Sequence, residues 1–214
     1  MVIAGIVIDK KDEAKLVKIG VRDSKELSPQ RREKLASEIE KIAKDIFVLR
    51  VPACKIDSYR ASGINLDRIE AMKMAEIIDI SSADTVYVDS LNNPSRFEKI
   101  IFGHLRENDK ELIVKNFLDE SIPVVSAASI IAKTERDKSI EEIKRKVNFD
   151  FGVGYSHDKR TIEFIDKLIK ERKDLPPFIR QSWITTQVLK ENSLQRKIKD
   201  FFFKKKEKCK EGER

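Results

Sequence analysis

Cysteine is scarce in this sequence, which has only Cys54 and Cys209 among 214 residues. The two lie far apart and in no paired spacing, so neither a disulfide framework nor a zinc site is expected. Long apolar runs are also missing, because the longest, 1–8 and 124–132, are too short to cross a bilayer. The first run also lacks the basic flank and cleavage site of a signal peptide. These absences predict a protein of a reducing compartment, which we take to be the cytoplasm.

The excess of positive charge is confined largely to one end of the chain. The formal net charge is +7, but residues 196–214 carry nine Lys or Arg against four Asp or Glu, a net of +5. The residues before this tail therefore carry only +2, and the basicity says little about the folded body. The tail fits either a solvated Lys-rich end or a nucleic-acid arm. A hydrophobic content of 40% is enough for one buried core.

Apolar patterning predicts two strands at the start of the chain, after which helices and strands alternate. Residues 1–8 form a β-branched run typical of a strand buried on both faces, and a second strand over 15–21 is predicted to pair with it. Further strands are predicted over 45–52, 85–89 and 111–116. One helix is predicted to begin at Ser28 and Pro29. Further helices are predicted over 65–80, 94–106, 124–147 and 161–170, with a terminal helix or turn over 189–203. This order predicts an α/β sandwich around one mixed sheet with a C-terminal helical extension.

Two acidic side chains stand where such a fold places chemistry. Asp89 ends the strand over 85–89, and open α/β sheets bind ligands beyond the carboxyl ends of their strands. A lone acid there more often caps the following turn, here with Ser90. Asp119 precedes a helix whose first turns carry small side chains that let another element approach closely. Clustered carboxylates hold the divalent metals that hydrolyse phosphodiesters without a Ser or Cys nucleophile, so the two acids form a candidate site.

Five segments resemble successive motifs of the ribonuclease HII family, in the family's order and over most of the chain. They are Val21-Arg-Asp-Ser-Lys-Glu-Leu-Ser28, Asn65-Leu-Asp-Arg-Ile-Glu-Ala71, Tyr87-Val-Asp-Ser90, residues 119–137 and Asp150-Phe-Gly-Val-Gly-Tyr155. Arg180-Gln-Ser-Trp-Ile-Thr185 resembles the family's motif near the carboxyl end. No single segment is specific, whereas the ordered set is. The chain therefore resembles archaeal ribonuclease HII, which implies a ribonuclease H-like mixed sheet flanked by helices.

The resemblance implies a site of four carboxylates and two metal ions, Mn²⁺ or Mg²⁺. Asp89 and Asp119 match the third and fourth carboxylates of the family. Tyr155 matches the tyrosine that stacks on the deoxyribose following the ribonucleotide. The implied activity is hydrolysis of the RNA strand of RNA–DNA hybrids and incision 5′ of ribonucleotides embedded in duplex DNA. Such a cut leaves 5′-phosphate and 3′-hydroxyl ends, and a monomer is expected to make it.

The resemblance also implies contacts with the substrate backbone. Asp23, Ser24 and Lys25 match a phosphate-contacting loop beside the site. Lys133 and Arg136 would lie near the backbone, with helix packing or surface ion pairing as the alternative. A non-catalytic module that binds nucleic acid and the sliding clamp is the competing interpretation of the whole chain.

Three local departures from the family surround these residues. Phe117-Leu118 stand where a Lys-Ala pair is usual, and Ile122 replaces a common Tyr. Gly152-Val-Gly-Tyr-Ser156 replaces a Gly-Ser-Gly-Tyr-Pro pattern. They bear on the fine geometry of the site.

The largest departure concerns the family's Asp-Glu-Ala-Gly-Arg-Gly strand, which these 214 residues do not contain. That strand holds the first two carboxylates and reads the 2′-hydroxyl, and residues 1–8 match the strand that follows it. We expect translation to start upstream of Met1; a deliberate truncation and an inactive relative are the alternatives. Residues 1–190 are then an N-terminally incomplete catalytic domain. By themselves, the 214 residues are expected to be inactive.

The basic tail, residues 191–214, contains a spacing typical of sliding-clamp ligands. Gln195 is followed at the matching intervals by Ile198, Phe201 and Phe202. One short helical turn would gather the three apolar side chains into a plug, while the Gln195 amide reaches a polar notch beside it. The alternative is an amphipathic terminal helix folded on the body.

Overall fold

The computed structural model describes residues 1–21, 27–90, 92–107, 109–171 and 174–195. The strands in these ranges are β1 Val2–Val7, β2 Asp45–Arg50, β3 Thr85–Asp89 and β4 Glu111–Lys115. β1 pairs antiparallel with β2, whereas β3 pairs parallel with β4. The α/β class with both strand orientations is confirmed. Within the described ranges the strands form two separate two-stranded sheets, where one mixed sheet was expected.

Helices make up most of the remaining regular structure. They are α1 Glu13–Ile19, α2 Pro29–Glu40, α3 Ala53–Ala61, α4 Leu66–Ile80, α5 Pro94–Phe102, α6 Leu118–Ser121, α7 Pro123–Val147 and α8 Lys159–Glu171. Residues 184–195 are also helical, which confirms the C-terminal helical extension as far as the description reaches. The predicted start at Ser28 and Pro29 is confirmed, because the Ser28 side chain accepts a hydrogen bond from the Arg31 N–H.

The prediction of a strand over residues 15–21 is wrong, because most of them belong to α1. Leu16 is fully buried and Ile19 packs against the same apolar cluster, and a spacing of three residues suits a helix. Gly20 ends the helix in the left-handed conformation, with φ 84°, and its N–H bonds to the carbonyls of Leu16 and Val17. The strand that pairs with β1 is β2, which comes later in the chain.

The chain divides into two compact units. The first combines Met1–Val51 with Tyr59–Glu142, and the second combines Pro52–Ser58 with the residues from Ile143 onward. In the first unit, one apolar cluster joins α1, α2 and α7, and another joins α4 and α5 to β3 and β4. In the second unit, the ring of Phe164 stacks on those of Phe149 and Phe151. The predicted boundary at residue 190 stays a prediction.

Helix α4 packs against strands of both sheets in the first unit. Gly5 of β1 lies so near α4 that a Cβ atom there would come within 2.8 Å of Ile77 Cγ2. On the side of the other sheet, Ala71, Ala75 and Ile78 of α4 share a buried cluster with Val88 of β3. The absence of a side chain at Gly5 therefore permits a close packing of strand on helix, which a larger residue would disrupt.

Strand β2 and helix α7 are joined by a set of ion pairs centred on Glu135. The Glu135 carboxylate lies 2.8 Å from Lys138 Nζ and 2.5 Å from Arg50 Nη2. Hydrogen bonds from Lys138 and Arg50 lower the pKa of the Glu135 carboxyl below its ordinary value. Arg50 also lies 3.7 Å from Glu142, in a pair whose two side chains are 46% exposed.

Replacing Glu135 with Gln should therefore lower stability in a pH-dependent way. Because the pKa of Glu135 is lowered by folding, its stabilising contribution is present above about pH 4.5 and is lost as the pH falls through the folded-state pKa. We expect Glu135→Gln to lower the free energy of unfolding by about 0.5–1 kcal/mol at pH 7. The difference should shrink at pH 3, as measured by urea denaturation at both pH values.

Glu142→Gln is the matched control, since its contact with Arg50 is longer and more exposed. It should change the free energy of unfolding by less than Glu135→Gln does. An equal effect of the two variants, or a pH-independent effect of Glu135→Gln, would contradict the assignment.

Candidate metal and nucleic-acid site

The two predicted acids lie at the carboxyl end of strand β3 and just beyond that of its parallel neighbour β4. Asp89 is the last residue of β3 and lies opposite Lys115, the last residue of β4. The Ser90 N–H donates to the Lys115 carbonyl at 3.0 Å and extends the pairing by one residue. Asp119 follows β4 by four residues, in the first turn of α6. Both acids therefore belong to the sheet edge where parallel α/β sheets bind their ligands.

A hydrogen bond brings the two acids together. The backbone N–H of Leu118 donates to Asp89 Oδ1 at 3.0 Å, and Leu118 is the residue immediately before Asp119. The Asp119 side chain is buried, with 7% of its surface exposed. Asp89 thus accepts a bond from a residue 29 positions away, so its contacts reach beyond the local turn at Ser90 that sequence reasoning had weighed.

The turn between β4 and α6 has an unusual residue at its apex. Phe117 adopts the left-handed conformation, with φ 60°, and its side chain is 66% exposed. This conformation precedes α6 directly and leads to the Leu118 N–H that contacts Asp89. Sequence reasoning had noted Phe117 only as a departure from the family. Its conformation depends on the turn and has no signal in the residue type.

The donor chemistry of Asp89 and Asp119 fits a hard divalent cation. Mg²⁺ prefers oxygen ligands, keeps several waters and is commonly held by one or two carboxylates. Among the described residues, no group of three or more His, Cys, Asp or Glu side chains comes together. The described part of the chain therefore offers a pair of carboxylates, which suits one such ion better than two.

Helix α7 contacts the segment that leads into the predicted phosphate-binding loop. The buried Ser126 hydroxyl donates to the Val21 carbonyl, as the small residues at the start of α7 predict. On the other side of the loop, the Leu27 carbonyl accepts a hydrogen bond from Arg32 Nη1 at 2.5 Å. Asp23, Ser24 and Lys25 themselves lie outside the described residues, and their role stays a prediction.

The predicted backbone-contacting residues of α7 lie within and beside an ion-pair cluster. The Asp137 carboxylate lies 3.1 Å from Arg136 Nη1 and 2.6 Å from Arg32 Nη2. The charge of Arg136 is thus partly balanced, which is the ion-pairing alternative raised from the sequence. Lys133 lies one turn earlier on the same helix and is half-buried.

In the second unit, a braced loop presents Tyr155. Asp158 accepts hydrogen bonds from the Val153 N–H and the Thr161 hydroxyl, both at 2.8 Å. These bonds, that of Thr161 foremost, lower the pKa of the Asp158 carboxyl. A Cβ atom at Gly152 would come within 2.0 Å of Asp158 Oδ2, so this loop requires glycine there.

The Tyr155 side chain is 45% exposed, and its ring stacks on that of His157 with centroids 5.5 Å apart. The Thr185 hydroxyl, from the carboxyl-terminal motif, donates to the Ser156 carbonyl at 3.3 Å. Asp57 supports that motif by accepting bonds from the Gln181 and Ser182 N–H groups. Sequence reasoning missed His157 and Asp57, whose contacts arise only in the folded chain.

Only the first residue of the predicted clamp-binding motif lies within the described part of the chain. Gln195 is exposed at the end of the helical residues 184–195. Ile198, Phe201 and Phe202 lie outside the described residues. No helix in the part of the chain that the structure describes has the length and apolar character needed to cross a bilayer.

Comparison with known proteins identifies close relatives. The family model Ribonuclease HII matches residues 1–186. The ribonuclease HII of Methanothermobacter thermautotrophicus is 40% identical over 194 residues, which cover 89% of this chain and 92% of that protein. The crystal structure of ribonuclease H2 from Pyrococcus horikoshii has a TM-score of 0.79 at 34% identity, covering 90% of this chain and 99% of that one. The PCNA:RNase HII complex from Archaeoglobus fulgidus has a TM-score of 0.76 at 37% identity, covering 88% of each chain.

The strain of the left-handed backbone at Phe117 can be tested by substitution. A Cβ atom in this conformation costs about 1–2 kcal/mol, which glycine avoids, although glycine loses more backbone entropy on folding. We expect the free energy of unfolding of Phe117→Gly to exceed that of Phe117→Val by about 1 kcal/mol in urea denaturation. Both variants remove the ring, so the comparison isolates the backbone. A Val variant as stable as the Gly variant would show that the turn is relaxed.

Proposed function

The chain belongs to the ribonuclease HII family of endoribonucleases, and from this premise we propose that it incises duplex DNA 5′ of embedded ribonucleotides and cuts the RNA strand of RNA–DNA hybrids. The products are 5′-phosphate and 3′-hydroxyl ends. The observation that carries the proposal is the pairing of Asp89 with the residue before Asp119 at the carboxyl ends of parallel strands.

Asp89 and Asp119 hold divalent Mn²⁺ or Mg²⁺ in this proposal. When bound, the metal supplies activation of the attacking water and stabilisation of the leaving oxygen. The Leu118 N–H fixes the Asp89 carboxylate, so one acid is oriented before any ligand arrives. In the resemblance, two further carboxylates come from the Asp-Glu-Ala-Gly-Arg-Gly strand, which is not part of these 214 residues.

Several predicted residues contact the substrate in this proposal. Tyr155 contacts the deoxyribose next to the ribonucleotide, supported by its exposure and by the bracing of its loop. Asp23, Ser24 and Lys25 contact phosphate. Lys133 and Arg136 contribute to binding the backbone, Arg136 with its charge partly balanced by Asp137.

The carboxyl-terminal tail, residues 191–214, binds a sliding clamp in this proposal. Support comes from the spacing of Gln195, Ile198, Phe201 and Phe202 and from the likeness to the Archaeoglobus fulgidus protein, which was solved in complex with PCNA. An apolar plug beside a polar amide is a common way for a short segment to dock into a partner's pocket.

One observation favours a second candidate function, a non-catalytic module that binds nucleic acid and the clamp. Within the described residues, no three acidic, His or Cys side chains gather into a metal-binding group. A deciding experiment uses the 214-residue chain and the same chain extended at its amino end by the family's Asp-Glu-Ala-Gly-Arg-Gly strand. Each is incubated with Mn²⁺ and a labelled duplex that contains one ribonucleotide.

We expect incision by the extended chain and none by the 214 residues alone, because two carboxylates do not hold two metals in register. Binding without incision by the extended chain would favour the non-catalytic module. Incision by the 214-residue chain would show that the four-carboxylate account is wrong.

In the extended chain, Asp89→Asn should lower the incision rate about a hundredfold or more, because the metal loses a charged ligand. The melting temperature should be unchanged or raised, since like charge is removed and the Asn carbonyl still accepts the Leu118 N–H. Asp119→Asn should also lower turnover severely. If titration shows unchanged metal binding in Asp119→Asn, that residue is a helper and not a primary ligand.

Glu120→Gln is the matched control, because Glu120 is exposed and adjacent to Asp119. It should keep the incision rate within a few-fold of the parent. An Asp89→Asn variant equally close to the parent would refute the assignment of Asp89.

For the tail, the double variant Phe201→Ala with Phe202→Ala should weaken clamp binding at least about tenfold, because aromatic side chains that dock into pockets act as hot spots. Its melting temperature and its cleavage of short duplexes should be unchanged. Neutralising Lys204, Lys205 and Lys206 should have a smaller, salt-dependent effect. Calorimetry against the clamp of the same organism measures both. Unchanged clamp binding, or a melting temperature lowered by several degrees, would identify the segment as part of the folded body.

A further inference from the structure

Among the large apolar side chains that are exposed in the described part of the chain, Phe117 is the most exposed aromatic one. Its side chain is 66% exposed, compared with 46% for Phe149 and 45% for Tyr155. Burial of a phenyl side chain contributes about 1.5–3 kcal/mol to folding, and Phe117 gains little of it. Folding stability therefore does not account for an aromatic residue at this position.

The backbone of Phe117 is also strained. Left-handed φ is uncommon outside glycine and is an outlier for bulky residues. Among the described residues, the other non-glycine residue with positive φ is Asn148, whose short polar side chain tolerates this region. Strain retained at one residue, without burial in return, is characteristic of functional sites.

The position of Phe117 links this strain to the candidate metal site. Leu118, the next residue, donates the hydrogen bond to Asp89, and Asp119 follows it. Since consecutive Cα atoms are about 3.8 Å apart, the Cα atoms of Phe117 and Asp119 are at most about 7.6 Å apart, so a phosphodiester held at these acids has its sugars near this turn.

The chemistry of the neighbourhood selects the sugar as the ligand of this ring. Phe117 is uncharged, and Asp119 and Glu120 follow it after Leu118. With Lys115 two residues before Phe117 included, the charges of this turn still sum to a negative value, so the turn does not attract phosphate by itself. RNA–DNA hybrids present their sugar edges in a wide and shallow minor groove, and an aromatic ring contacts nucleotides without regard to sequence.

We propose that the Phe117 ring packs against a sugar of the nucleic acid beside the scissile phosphate and strengthens binding of hybrid substrates. This inference rests on the proposed function, because it takes the substrate from there. The contact is apolar. It adds affinity without releasing counterions, so it leaves the salt dependence of binding unchanged.

The test measures binding of a labelled RNA–DNA hybrid by fluorescence anisotropy, with Ca²⁺ in place of Mn²⁺ and at several salt concentrations. Phe117→Ala should weaken binding about five- to tenfold at each salt concentration, with the same slope of log Kd against log salt. Phe117→Tyr should stay within about twofold of the parent. Phe117→Lys should steepen the slope by about one unit, because it adds a phosphate contact.

Two further variants test whether a loss of affinity comes from the ring itself, from the backbone conformation or from exposed apolar surface in general. Phe117→Gly removes the ring and relieves the turn, so it should lose as much affinity as Phe117→Ala. Ile80→Ala removes a side chain that is 64% exposed at the end of α4, ahead of the amino end of β3, and should bind like the parent.

Parent-like affinity of Phe117→Ala would overturn the inference, and so would parent-like affinity of Phe117→Gly alongside a weakened Ala variant. In both cases the proposed function would stand, because the parent binds the hybrid. A parent chain that binds no hybrid at any salt concentration would overturn the proposed function and this inference together.

Discussion

The hydrogen bond from the Leu118 N–H to the Asp89 carboxylate joins the two elements that carry the acids of the candidate site. It joins the end of β3 to the start of α6, and the parallel register that sets Asp89 opposite Lys115 brings these ends side by side. Phe117, in the left-handed conformation, directly precedes the Leu118 N–H that makes this bond. The position of Asp119 follows from the same bond. The arrangement of the two acids is thus a property of the backbone.

Helix α7 extends this backbone control to the surroundings of the acids. It begins at Pro123, two residues after α6 ends, and its small, buried Ser126 approaches Val21 closely enough to bond its carbonyl. Larger residues at this point would push the two segments apart. Further along α7, Asp137 joins Arg136 to Arg32 of α2. The helix therefore couples the acids to the segments that flank the predicted phosphate loop.

Sequence patterns predicted the strands that carry the acids, because alternation and β-branched runs depend on local packing. They failed over residues 15–21, where Val17, Ile19 and Val21 alternate as in a strand, although most of the segment belongs to α1, which ends at Gly20. They also missed α6, whose four residues are too few to show a period. The bond between Asp89 and Leu118 spans 29 residues, and the left-handed turn at Phe117 depends on that bond's surroundings. Such features follow from tertiary structure. The residue types therefore identified the two acids as candidates but did not predict how they are arranged.

The negative charge of the two acids explains why a site of this kind combines a metal ion with apolar contacts. The carboxylates of Asp89 and Asp119 repel a polyanion, and most of the net positive charge of the chain lies in the tail, away from the acids in sequence. In the proposed function, a bound divalent cation offsets the charge of these two acids, so substrate phosphate is attracted more strongly when metal is present. In the proposed function, contacts made by uncharged rings such as that of Tyr155 add affinity without disturbing that balance. On this proposal, shape and sugar chemistry carry specificity, while the bound metal favours the entry of phosphate.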